Sequence, residues 1–148
     1  MAVEISLENG LFKTYAFYAC FLLIKILSNN VITVYYRTIR KSYRVPEDYV
    51  MANAKDTGGS THPDVERAVR IHVHDIENIV PFILIGFFYV LTGPTVALAT
   101  WYFRLFTCAR LLHTASYLLK LQPYRTIGHV LATVINVLMA TSTLCSLF

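Results

Sequence analysis

The chain is 148 residues long, 55% apolar and only 15% charged, with a mean hydropathy of +0.50. A soluble domain carries about a quarter of its residues charged, so this composition excludes one and points to a membrane protein. The formal charge of +4 comes from 13 Lys and Arg dispersed among apolar runs, which excludes a nucleic-acid-binding domain, and the length suits one domain, residues 1–148, without an added soluble catalytic module.

Glu4 and Glu8 precede the first apolar run, and with neither a basic leader nor a small-x-small cleavage site the N-terminus reads as uncleaved. Four segments approach the roughly 20 residues that take a helix across about 30 Å of hydrocarbon. They are about 11–36, 68–92, 95–121 and 127–148. At about 100° per residue, Lys25, Asn29, Asn30, Thr33, Tyr36, Arg37 and Arg40 of the first share an arc away from most of its leucines and isoleucines.

A hydrophilic loop of about 38–63 follows, with Pro46 and Gly58-Gly59-Ser60. Thr61 or His62, then Pro63 and Asp64, is a helix start, so the second helix begins before its apolar stretch. Glu66, Arg67, Arg70, His74, Glu77 and Asn78 fall on one face of it, opposite Val65, Val69, Ile76 and Val80, and His72 lies elsewhere. Pro81 should loosen the helix, which membrane helices tolerate where a neighbour satisfies the freed carbonyl.

Gly93-Pro94 ends the second span and Gln122-Pro123 the third. Between them Arg110, His113, Thr114, Tyr117 and Lys120 form a stripe, with Arg104 pointing away. From Thr126 to Phe148 no Asp, Glu, Lys or Arg occurs. Such short links make neighbouring helices antiparallel, and the fold class is an all-α, antiparallel four-helix membrane bundle. Arg37, Arg40, Lys41, Arg44, Lys55, Lys120 and Arg125 share one side, which is therefore expected to be cytosolic. Cys20, Cys108 and Cys145 sit in apolar runs without C-x-x-C spacing and are expected to be buried small hydrophobes.

Ionisable groups within spans are costly and count as site candidates, with helix-to-helix contact and snorkelling to the interface as the other reading of the same stripes. No metal site is expected. His72 and His74 are about 200° apart on a helix and cannot chelate one ion, and no acid in the other spans completes a carboxylate-bridged set with His74 and Glu77. No G-x-S-x-G nucleophile signal occurs.

The run from Pro63 to Phe82, with Glu66-Arg67-Ala68-Val69-Arg70 and His74-Asp75-Ile76-Glu77-Asn78 inside it, resembles the signature of the MAPEG family of membrane proteins in eicosanoid and glutathione metabolism. Lys25, Tyr36-Arg37, Pro46-Glu47-Asp48, Leu91-Thr92-Gly93-Pro94, Phe103-Arg104-Leu105-Phe106, Ala109-Arg110 and His113-Thr114-Ala115-Ser116-Tyr117-Leu118 extend the likeness over nearly the whole chain. The likeness is greatest to the microsomal glutathione transferase branch, with the prostaglandin E synthase branch beside it.

The resemblance implies a homotrimer with glutathione bound between subunits near the cytosolic side. Its contacts would include Arg37, Arg70, His72, Glu77, Tyr117 and Arg125, with His74, His113 and Thr126 lining the site and Asp48 assisting Arg125. Glutathione has two carboxylates, an ammonium and a thiol. Arg37 and Arg70 suit the carboxylates and Glu77 the ammonium, while Arg125 and the Thr126 hydroxyl would hold the sulfur as thiolate. Lowering a thiol pKa by about two corresponds to roughly 2.7 kcal/mol.

Val69 stands where the transferase branch usually has Arg, His74 where it has Asn, Tyr49 where mammalian members have Cys, and His129 where the prostaglandin synthase has Tyr. Glu66, Arg67 and Asp75 are expected to be structural ion pairs. The implied activity is transfer of glutathione to lipophilic electrophiles in the bilayer, accompanied by reduction of lipid hydroperoxides. The alternatives are prostaglandin endoperoxide isomerisation and a non-catalytic lipid-binding role. The implied location is the endoplasmic reticulum membrane, with the mitochondrial outer membrane as the other choice.

Overall fold

The computed structural model describes residues 5–55 and 61–148; Glu4 and Gly58-Gly59-Ser60 lie outside the described residues. Five helices follow in order: α1 (Gly10–Arg40), α2 (Pro46–Met51), α3 (Pro63–Leu91), α4 (Val96–Leu118) and α5 (Gln122–Leu147), with no strand among the described residues. By length and apolar composition α1, α3 and α5 are able to cross a membrane. Helix α4 is shorter, at 23 residues, and carries Arg104, Arg110 and His113, so only three of the four expected spans qualify on composition alone.

Local chemistry sets the helix ends. The Asn9 carboxamide oxygen accepts from the amides of Leu11 and Phe12, and the His62 ring accepts from the Asp64 amide with Pro63 in the first turn. Lys41 (φ 47°) and Lys120 (φ 62°) adopt the left-handed conformation after α1 and α4. This lets the next amides, of Ser42 and Leu121, reach back to the carbonyls of Arg37 and Ser116 at 3.1 and 2.8 Å. The expected loop contains a helix: Pro46 opens α2 with Glu47 and Asp48 in its first turn, the same start signal as at Pro63.

Helix α1 packs on α3 and α4, α5 packs on α3 and α4, and α1 and α5 do not touch. The core is aromatic at the end away from the loop. Phe82 stacks on Phe106 at 4.0 Å, Phe103 meets both Phe82 and Tyr15 edge-on, and the Tyr15 hydroxyl donates to the Ile83 carbonyl at 2.7 Å. Gly128 brings α5 against α4, where an added Cβ would lie 2.8 Å from the Ala109 carbonyl oxygen and 3.0 Å from the His113 nitrogen.

Helix α3 runs unbroken through Pro81, and the polar seam beside it is built from amides. Asn136 of α5 donates to the Asn78 carbonyl at 3.1 Å, while the Asn78 side chain donates to the His74 carbonyl and accepts from Thr133. The neighbour therefore bonds the carbonyl next to the one that Pro81 frees.

The cysteine expectation fails. Cys20, Cys108 and Cys145 are all exposed on the outside of the protomer, because helices that are apolar all round carry no hydropathy signal for which face turns inward. Large apolar side chains such as Phe17, Ile24, Leu27, Val134 and Leu144 share that outer surface.

Candidate functional site

The polar groups of three helices meet at one buried point. Helix α3 buries Ala68, Ile71, Asp75, Ile79 and Phe82 at three- and four-residue spacing, so Asp75 is an acid set into an otherwise apolar stripe. Desolvating a lone carboxylate is prohibitive. Asp75 is accordingly surrounded. One oxygen, Oδ1, accepts from Arg110 Nε and Nη2 at 3.0 and 2.5 Å, and the other accepts from Lys25 Nζ and from Asn29 Nδ2 at 2.6 Å. Lys25 donates also to Thr114 Oγ1 at 2.5 Å. Asp75 and Arg110 are both 0% exposed.

This resolves the three stripes in part. Lys25, Asn29, Arg110 and Thr114 do converge, but on Asp75, as the ion-pair expectation for that residue required. The other two acids and bases of that expectation divide: Glu66 pairs with Arg70 at 3.6 Å, and Arg67 Nη1 donates to the Tyr117 carbonyl at 3.4 Å. At the same end Asp64 joins Arg40 (2.8 Å) and Lys120 (3.8 Å), tying the last turn of α1 and the end of α4 to the first turn of α3.

Beside the buried pair lies a ring cluster. Arg110 Nη2 is 3.3 Å from His113 Nδ1. The His113 ring is 5.1 Å from Tyr117, 5.6 Å from His74 and 6.0 Å from His129, and His74 is 5.7 Å from Tyr117 and 5.9 Å from His129. The Arg125 guanidinium sits over the Tyr117 ring, 4.6 Å from its centre. Of the candidate residues, His74, His113 and Tyr117 are thus in mutual contact, and Arg125 joins them through Tyr117.

Arg37 and Arg70 line a second feature, a 390 Å³ cleft between the end of α1 and the start of α3. Arg44, Ser42, Thr61 and Glu66 share it. Two guanidinium groups on one cleft suit an anion with more than one carboxylate. Glu77 is exposed and lines a 350 Å³ groove between α3 and α5 with Asn78, His129 and Asn136. His129 therefore connects this groove to the ring cluster.

The remaining candidates stand apart within the protomer. Asp48 is half-buried on α2, which packs against none of the other helices; Tyr49 next to it turns inward and donates to the Tyr43 carbonyl at 3.0 Å. His72 makes no contact with the His74 cluster, in keeping with its different face, and its buried Nδ1 has no partner among the described residues. Thr126 is exposed and borders an apolar face with Ile127, Val130, Leu131 and Val134.

A sequence profile described as the MAPEG family matches residues 15–145. The chain belongs to the MAPEG family. It is 38% identical over 138 residues to Microsomal glutathione S-transferase 1 of Sus scrofa and 36% identical to that of Homo sapiens, each time over 90% of this chain and 89% of the relative. It is also 39% identical over 124 residues to Prostaglandin E synthase of Bos taurus, covering 79% of this chain and 78% of that one.

One residue of this MAPEG chain, His129, was missed as a member of the polar centre. Asp75 was legible as an ion pair, since an acid aligned with Ala68, Ile71, Ile79 and Phe82 must have a buried cation opposite. His129 offered no such signal; it lies alone in an apolar helix, and only the packing of α5 on α3 and α4 brings it to His74 and His113.

Proposed function

We propose that this protein is a membrane-bound glutathione transferase. Glutathione is the co-substrate. Its thiolate attacks the electrophilic carbon of a lipophilic compound dissolved in the bilayer, a carbon–sulfur bond forms, and the leaving group departs with its electron pair. Reduction of lipid hydroperoxides at the same thiolate accompanies it. The observation that carries this reading is the Arg125 guanidinium 4.6 Å over Tyr117 beside His74 and His113, in a chain 38% identical to a microsomal glutathione transferase. A guanidinium that is always charged stabilises a thiolate next to it.

In this reading Arg37 and Arg70 hold the glutathione carboxylates and Glu77 its ammonium, while Arg125 and Thr126 hold the sulfur. His72, His74, His113 and Tyr117 line the site, and Asp48 assists Arg125. Asp48, Thr126 and the Arg37 cleft lie apart from the ring cluster in one protomer, so the complete site calls for assembly. The assembly is a homotrimer of antiparallel four-helix subunits, in which α4 also crosses the bilayer and its buried Arg110 is paired with Asp75 rather than exposed to lipid. The membrane is that of the endoplasmic reticulum or the outer mitochondrial membrane, with the Lys- and Arg-rich end facing the cytosol.

The test is the ultraviolet absorbance of glutathione thiolate at neutral pH in detergent-purified protein, wild type against Arg125→Ala, together with conjugation of a generic aryl halide. Wild type should show both signals and the variant neither. Absence of both in wild type would refute the enzyme reading and favour a non-catalytic lipid-binding protein. The identity to Prostaglandin E synthase supports a second reading, isomerisation of a prostaglandin endoperoxide with glutathione; product analysis with both substrate types separates the two.

A further inference from the structure

We infer that the Asp75–Arg110 pair holds His113 as the neutral tautomer with its proton on Nε2, making Asp75 and Arg110 positioning residues for a hydrogen-bond donor in the ligand site. The inference rests on the role proposed above for His113. A guanidinium has only donors to offer and keeps its charge at every working pH. Arg110 Nη2 lies 3.3 Å from His113 Nδ1, so Nδ1 must supply the lone pair; a proton there would set donor against donor. The sole remaining place for the proton of the ring is Nε2, on the far edge from Arg110.

Arg110 cannot swing away from this duty. Its Nε and Nη2 are both bonded to Asp75 Oδ1, its side chain is 0% exposed, and Asp75 is itself gripped from the other side by Lys25 and Asn29. The cluster holds two cations against one carboxylate, and Arg110 Nη1 is buried with no partner. That surplus disfavours a cation at the ring cluster, and with Arg125 over Tyr117 it argues against a metal ion among the three histidines. A neutral ring that donates from Nε2 suits an acceptor instead, such as a thiolate sulfur or carboxylate oxygen of the ligand.

The experiment is nitrogen NMR of histidine-labelled wild-type trimer or protomer in nanodiscs, with the His113 signals assigned by their loss in His113→Gln. At neutral pH the His113 Nδ1 should be unprotonated and Nε2 protonated, and added glutathione should shift the Nε2 resonance. Arg110→Lys keeps a charge opposite Asp75 but has no planar fork to reach both partners. It should give mixed tautomers and raise the glutathione dissociation constant roughly tenfold, the effect of losing one hydrogen bond to a charged group. A protonated Nδ1 in wild type that still binds glutathione overturns the positioning role alone. So does Arg110→Lys with tautomer and affinity unchanged. An Nε2 resonance unmoved by bound glutathione removes His113 from the ligand, and absence of binding in equilibrium dialysis overturns the proposed function as well. The wild-type measurement stands even if the variant fails to fold.

Discussion

Arg110 and Asp75 meet out of all contact with solvent, and the carboxylate accepts from the guanidinium on one oxygen while Lys25 and Asn29 fill the other. Arg110, one of the charges on the long helix that does not qualify as a span on composition alone, is thus part of what joins α1, α3 and α4. Removing the carboxylate leaves two buried cations without a counter-charge, which costs more than the pair gains by forming. Asp75→Ala is expected to destabilise by about 3–5 kcal/mol. Thermal unfolding in detergent reads this, and a melting temperature equal to that of wild type would disprove it.

Gly128 and Gly10 make an opposed pair of tests. A Cβ at Gly128 meets backbone of α4 at 2.8 and 3.0 Å, and backbone cannot rotate aside, whereas one at Gly10 meets nothing within 4 Å. Gly128→Ala should push α5 off α4 and cost about 1–3 kcal/mol, disturbing the His113 signals in the same sample. Gly10→Ala should leave the unfolding midpoint near that of wild type. Equal stability of the two variants would contradict the close approach.

The Tyr15 hydroxyl donates to the Ile83 carbonyl at 2.7 Å in the aromatic end of the core. Tyr15→Phe keeps the ring contacts with Phe103 and Phe87 and deletes the bond alone. A loss of about 1 kcal/mol is expected, with glutathione affinity unaltered because the site lies at the other end. A fall in affinity would show that the two ends are coupled.

Glu77 is exposed in the protomer and carries no structural bond among the described contacts, so its replacement has little to disturb except a ligand. Glu77→Ala should weaken glutathione binding with the oligomer intact. Calorimetry and sedimentation on one preparation check both halves, and undiminished affinity would take Glu77 out of the site.

Chain order, the four long helices and most of their ends were legible because they depend on chemistry within a few residues. Asn9, His62-Pro63-Asp64, Gly93-Pro94 and Gln122-Pro123 act on the backbone beside them, and the same rule applied at Pro46 would have disclosed α2. The family signature likewise lies in contiguous runs, so the MAPEG identity was readable from order alone. Which face of each helix turns inward was not, and three exposed cysteines are the consequence. Helices that are apolar on every side show periodicity too weak to mark an interior. Only tertiary packing decided that Lys25, Asp75 and Arg110, up to 85 positions apart in number, neutralise one another, and that His129 joins His74 and His113. The physical reason is that a buried charge takes whatever counter-charge the crossing helices bring within reach, and the place of crossing depends on the shapes of all the side chains between them, not on spacing along any one.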